Sequence, residues 1–173
     1  EDQRFAWSRP DVLVYQTEPL LEDVTIAGPA KVVLYGSTSG TDCDWIVKLI
    51  DVFPGDTPDN EPNPSGVRMG GFQMKVVSDV MRSKFRNSFE KPEPMKPNQV
   101  TKIEFELFDK LHRFKKGHKI MVQIQSTWFP LVDLNPGKFL DIYNAKESDF
   151  QKTTQRVFRS SQYSTHLEIK TLK

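Results

Sequence analysis

Between Asp44 and Phe53 the chain is apolar on both phases of a two-residue alternation. Trp45, Val47, Leu49 and Phe53 fall on one face, and Ile46, Ile50 and Val52 fall on the other with Lys48 among them. Successive side chains of a strand point to opposite faces, so this segment is covered on both sides and belongs in the middle of a sheet. Residues 101–107 show the other pattern: Ile103, Phe105 and Leu107 point in, and Lys102, Glu104 and Glu106 point out. Shorter alternating runs predict strands at 12–17, 24–26, 31–35, 72–81, 120–124 and 163–169, about eight in all. Turn residues separate them: Gly28-Pro29, Gly36 to Gly40, Pro54-Gly55-Asp56 and Lys116-Gly117-His118. Residues 145–153 carry too few apolar positions for a strand and are read as a short helix. Strands dominate and no βαβ rhythm occurs. The expectation is an all-β fold: a two-sheet jelly-roll β-sandwich with long loops and a short helix, one domain over residues 1–173.

Two connectors are too rich in proline for regular structure. Residues 54–66 hold four prolines among Asp, Asn and Gly, and Pro92, Pro94 and Pro97 stiffen a second stretch. Long loops are frequently functional, so residues 54–66 are a candidate region.

Composition narrows function mainly by exclusion. A net charge of +1 supplies no general attraction to nucleic acid or anionic membranes, and no apolar run reaches membrane-spanning length. The single cysteine, Cys43, excludes an internal disulfide and reads as a small apolar filler. The first residues, Glu-Asp-Gln-Arg-Phe, carry neither an initiator methionine nor an apolar leader, which is read as the start of a piece from a longer polypeptide.

A nucleophile elbow requires Gly-x-Ser-x-Gly between a strand and a helix. Gly36-Ser-Thr-Ser-Gly40 places Thr38 at the centre and is followed by a strand, so a plain turn is expected. His112, His118 and His166 are the only histidines. His118, after a turn glycine, is expected at the surface, and His166 is expected as a hydrogen-bonded strand residue. No catalytic residue, cofactor site or metal site is therefore assigned to this chain. Asp42 and Asp44 share a face and, with Asp56 and Asp59, raise the alternative of a calcium-stabilised sandwich, although no compact binding loop is present. Pairing of Asp42 and Asp44 with Arg82 or Arg86 is the preferred reading, because a partly buried carboxylate needs a counter-charge. Trp128-Phe129-Pro130 reads either as the edge of the core or as an anchor on a neighbouring domain. Residues 110–113 with Lys115 and Lys116 read as a solvated basic turn. Exposed Trp7, Trp45 and Trp128 would be the platform of the rival reading, a carbohydrate-binding module, with Trp45 more at home in the core.

Several stretches taken together carry a family resemblance. They are Arg9 to Tyr15, Thr41 to Trp45 with Lys48 to Pro54, Arg82 to Phe89, Lys116 to Gln123, and Trp128-Phe-Pro130 with Asn135-Pro136. The series resembles the C-terminal domain of the X-Pro dipeptidyl-peptidase and cocaine-esterase (CocE/NonD) superfamily of serine hydrolases. The loop at 54–66, Gly70 to Met74 and Phe89 to Pro94 look most like the α-amino acid ester hydrolases and glutaryl-7-aminocephalosporanic acid acylases. The resemblance implies a galactose-binding-domain-like sandwich attached to an α/β-hydrolase domain and a helical cap. The Ser-Asp-His triad would lie in that other domain. It implies a structural role here: packing on the catalytic domain and helping to wall its acyl pocket; Trp128, Phe129 and Pro130, read above from their own chemistry, would be the interdomain-contact candidates. It leaves a homo-oligomer of the parent open and favours a periplasmic or secreted location over a cytoplasmic one.

Overall fold

The computed structural model describes residues 2–172. A one-turn helix, α1 (Arg4–Trp7), precedes eight strands: β1 (Val12–Gln16), β2 (Val24–Thr38), β3 (Asp44–Val52), β4 (Gln73–Arg82), β5 (Thr101–Phe114), β6 (Lys119–Gln125), β7 (Gln155–Val157) and β8 (His166–Leu172). They form two antiparallel sheets. The first has the order β1-β6-β3-β4, and the second has β5-β2-β7, with β8 also paired to β2. The expected two-sheet sandwich is the observed fold.

The core lies between the sheets. Trp45, Val47 and Leu49 of β3, with Val77, Met81 and Ile124, meet Ile26, Val32, Leu34, Ile103, Leu107 and Phe114 of the second sheet. Each fully buried aliphatic or aromatic side chain contributes about 1.5–3 kcal/mol. β3 sits between β6 and β4, and its outer face is also covered. There Ile46, Lys48, Ile50, Met121 and Gln123 lie under the N-terminal segment, whose Gln3 and Ala6 are buried. The Gln3 N–H donates to the Gln73 carbonyl at 2.9 Å, which seats that segment on the sheet.

Three local expectations are corrected. Gly28-Pro29 does not end a strand. β2 runs through it with a bulge between Gly28 and Ala30, Gly28 taking φ +94°, a conformation open to a residue without Cβ. Pro29 has no N–H to pair and falls in that bulge. Residues 110–113 are not a basic turn, because β5 continues to Phe114. Residues 145–153 do not form a helix. Single helical turns occur at Ile142–Asn144 and Glu147–Asp149, held by the carboxylates of Asp141 and Asp149, and among the described residues the one α-helical turn is at Arg4–Trp7. Three-residue β7 was too short to show an alternation.

Candidate functional site

Residues 126–154, between β6 and β7, form the largest irregular segment fixed to the body of the sandwich. Their anchor is the charge pair at the start of β3. The Arg82 guanidinium donates to both carboxylate oxygens of Asp44, at 2.8 Å each. The two residues are paired across β3 and β4, so their side chains share a face. Arg82 also donates to the Asp133 carbonyl at 3.1 Å, and the Asn135 amide donates to Asp44 at 2.8 Å. The ion pair thereby holds the loop as well as the strands. The bond to Asp44 raises the Arg82 pKa further above its ordinary value.

Asp42 does not join an arginine. Its carboxylate accepts the backbone N–H of Cys43 and of Lys84, each at 3.0 Å. Burial pushes its carboxyl up, against hydrogen bonding from Asn135 and these N–H groups. Arg86 meets neither aspartate. The helical turn Ser83–Phe85 redirects the chain, and the Arg86 guanidinium donates to the carbonyls of Ser83, Glu93 and Pro94. It thereby ties the proline connector to the end of β4. Lys84 completes the anchoring by donating to the Leu140 carbonyl at 2.9 Å. Thr41 adds two bonds, accepting from Phe139 N–H at its hydroxyl and donating its own N–H to the Gly137 carbonyl.

The outward side of the same loop carries large apolar side chains among its polar ones. Phe129, Leu131, Leu134, Phe139, Tyr143 and Phe150 are all exposed, Phe129 at 64% and Tyr143 at 88%. Trp128 is half-buried, and its ring is flanked by the ammonium groups of Lys48 at 4.7 Å and Lys75 at 4.9 Å. A cleft of about 270 Å³ separates Trp128 and Phe129 from Phe5, Ala6 and Arg9. Phe5 and Trp7 of α1 are exposed as well. Trp128, Phe129 and Pro130 therefore sit at one margin of an apolar surface that also draws on α1.

Lys48 was not expected to matter, yet it is fully buried. Its ammonium donates to the Gln3 side-chain carbonyl at 2.9 Å. Burial, then the charges of Lys75 and Arg9, pull its pKa down to about 8. The sequence signal was a lysine on an otherwise apolar strand face.

The histidines are placed differently from expectation. His118 is buried rather than at the surface, and its Nδ1 lies 2.7 Å from Asp51, which also meets Nε2 of His112 at 2.9 Å. Asp51 belongs to β3 and His112 to β5, so the contact bridges the two sheets. Among the described residues neither imidazole hydrogen-bonds a hydroxyl or a thiol, the contact a nucleophile–base pair requires. His166 is exposed and meets Ser164 O and Glu168. Cys43 is buried against the Ser83 hydroxyl, and burial pushes its thiol up to about 12, which makes it a poor nucleophile. Asp59 accepts Met69 N–H, and among the described residues no three His, Cys, Asp or Glu groups come together to hold a metal ion. Trp45 is in the core, so it cannot serve a sugar platform.

Comparison with known proteins agrees with this geometry. Residues 4–168 match the family described as the X-Pro dipeptidyl-peptidase C-terminal non-catalytic domain. A cocaine esterase of Rhodococcus sp. (strain MB1 Bresler) is 26% identical over 99% of this chain, which spans 27% of that protein. An aminopeptidase from a marine sediment Thaumarchaeota archaeon superposes with a TM-score of 0.92 at 42% identity, covering 100% of this chain and 28% of its own. An α-amino acid ester hydrolase does so with a TM-score of 0.92 at 43% identity, covering 99% of this chain and 27% of its own. The chain thus spans little more than a quarter of the relatives it matches. On the family match, which covers nearly all of its length, this chain belongs to the X-Pro dipeptidyl-peptidase C-terminal non-catalytic domains.

Proposed function

We propose that this chain is the supporting sandwich of a serine hydrolase that acts on ester or amide bonds by acyl transfer. It packs on an α/β-hydrolase domain and helps shape that domain's acyl pocket. The observation that carries this reading is the construction of residues 126–154. Several of their groups are bonded inward to Asp44, Arg82, Lys84 and Thr41, while large apolar side chains are exposed on the outer side. An isolated surface seldom exposes so many large apolar groups on one loop unless something covers them. Fixing the loop in advance removes ordering cost from that contact. The similar cocaine esterase, α-amino acid ester hydrolase and aminopeptidase support the reaction class.

The test compares the full-length protein with this chain alone. Phe129→Asp is expected to lower the melting midpoint and the hydrolytic rate of the full-length protein while leaving the midpoint of the isolated chain unchanged. Equal effects on both would refute docking through this face. The isolated chain is expected to release no p-nitrophenol from p-nitrophenyl esters above a heat-killed control. Turnover blocked by a serine-directed phosphonate would refute the non-catalytic role.

A further inference from the structure

The two sheets differ in width, and the difference leaves one side of the sandwich open. β7 and β8 both pair with the side of β2 that β5 leaves free, β7 at residues 36–38 and β8 over residues 25–33, so the second sheet is three strands across. The first sheet is four across. β5 runs beside β4 at one margin, so the surplus falls at the other, along β1. The inner face of β1 shows the consequence. Tyr15 packs on the core, yet Leu13, two residues away and on the same face, is 42% exposed.

A slot of about 250 Å³ runs inward from this margin. Its walls are Val32 and Leu34 of β2, Val47 of β3, Val122 and Ile124 of β6 and Leu167 of β8, each in the core or packed against it. Walls of this kind offer water no hydrogen-bond partners, so the depth of the slot favours an apolar group. Pockets for drug-sized molecules hold about 300–1,000 Å³, and this one is smaller. Its occupant is therefore a short acyl chain or a single aromatic ring.

The mouth is polar, and its uncommitted groups are donors. Arg159, in the connection from β7 to β8, lays its guanidinium over the Tyr15 ring at 4.6 Å and so bridges the gap between the sheets. Among the described residues that guanidinium forms no ion pair and no hydrogen bond, and the Tyr15 hydroxyl has no hydrogen-bond partner. The other polar groups at the mouth are engaged. The Thr165 hydroxyl donates to the Phe158 carbonyl and accepts from Tyr35 N–H, and the His166 ring meets the Ser164 carbonyl and Glu168. No carboxylate lines the slot. A guanidinium holds a carboxylate through two parallel N–H···O bonds, a pairing that no side chain of the slot supplies. We infer that the slot between the sheets is a binding site for a small organic carboxylate, with its chain or ring among Val32, Val47, Val122 and Leu167 and its carboxylate on Arg159 and Tyr15. The site shares no residue with the apolar face of residues 126–154.

The experiment is a saturation-transfer NMR titration of the full-length protein with sodium octanoate, and with octan-1-ol as its uncharged counterpart. Octanoate is expected to bind more tightly than the alcohol. Shortening it to hexanoate and butanoate should weaken binding by up to about fourfold per methylene lost. Arg159→Gln should weaken octanoate at least about fivefold and leave octan-1-ol unchanged. Val122→Trp fills the slot and should abolish the binding that Arg159→Gln weakens. Arg159 is exposed, so its replacement leaves the sandwich intact and its effect does not depend on how Val122→Trp folds. Octanoate bound equally by wild type and Arg159→Gln would overturn the inference, as would octan-1-ol bound as tightly as octanoate. A full-length protein that binds no octanoate would overturn it too, whether the slot stays shut or another part of the protein covers it.

Discussion

Two long loops leave β3 and β6, and they are built in opposite ways. Residues 53–72 satisfy themselves. Asp59 accepts Met69 N–H, Asn63 donates to the Val67 carbonyl, and Gly71 N–H donates to the Pro54 carbonyl. Among the described residues only Arg4 of α1 donates hydrogen bonds to it from outside, to the carbonyls of Arg68 and Gly70. Residues 126–154 also bond among themselves, but they are tied in addition to the strands beneath and carry large apolar side chains exposed to solvent. The difference separates a loop that only needs to close from one that is positioned to be covered. Proline content drew attention to the first loop, and burial chemistry points to the second.

The contrast is broken most severely at its anchor. Arg82→Ala leaves Asp44, almost wholly buried, without its counter-charge and frees the Asp133 carbonyl. Removing one partner of a buried ion pair typically costs about 3–5 kcal/mol. Urea unfolding should show a loss of that order, together with faster proteolysis within residues 126–154. Undisturbed proteolysis would mean that the loop is held by something other than this pair.

A smaller effect is expected where the loop's backbone crosses the turn after β2. Gly40 lies against the carbonyl of Gly137, and a methyl group there would run into that oxygen. Thr41 N–H bonds to the same carbonyl at 3.0 Å, so the two segments cannot simply part. Gly40→Ala should destabilise by about 1–3 kcal/mol, the usual cost of overpacking. The equivalent change at Gly55, which has open space around it, should not. Thermal melts of the two variants side by side sharpen the distinction between the loops.

Below Trp128, Lys48 gives the loop's root a dependence on pH. Its pKa is depressed to about 8 in the folded state, against an ordinary lysine value of 10.5. Between those values the unfolded chain binds more protons, so the lysine's unfavourable contribution is present in full below pH 8 and fades as pH rises. Lys48→Met should therefore melt higher than wild type near neutrality, with the gap narrowing as pH climbs through that window. A gap that is constant with pH would show that the ammonium is well compensated by Trp128 and Gln3.

Much of this architecture was legible in the chain because it obeys a two-residue period. The doubly buried β3 and the half-buried start of β5 follow directly from it. The joining of 24–26 and 31–35 into one strand was hidden because Gly28-Pro29 suits a turn and a bulge equally well. Asp44 with Arg82 was legible as a need for charge compensation, whereas Arg86 was not separable from Arg82 without the turn between them. His118 was misplaced because its partner, Asp51, is remote in sequence and reaches it only once the sheets are paired. The inward bonding of residues 126–154 was invisible for the same reason: most of it runs through backbone carbonyls, which carry no signature of residue type.

The smallest expected effect belongs to the self-contained loop. Arg68 lies 3.9 Å from the Asp59 carboxylate, with most of its side chain in solvent. Such an ion pair is screened by water and salt, and holding a long side chain in one rotamer offsets what attraction remains. Arg68→Ala should change stability by no more than about 0.5 kcal/mol. Asp59→Ala removes the acceptor of the Met69 N–H as well, but that N–H is exposed and water can replace the carboxylate. Chemical denaturation of both variants should be nearly superposable with wild type. A loss from Asp59→Ala that approaches that of Arg82→Ala would mean that residues 53–72 are also fixed for a partner, and the distinction between the two loops would fall.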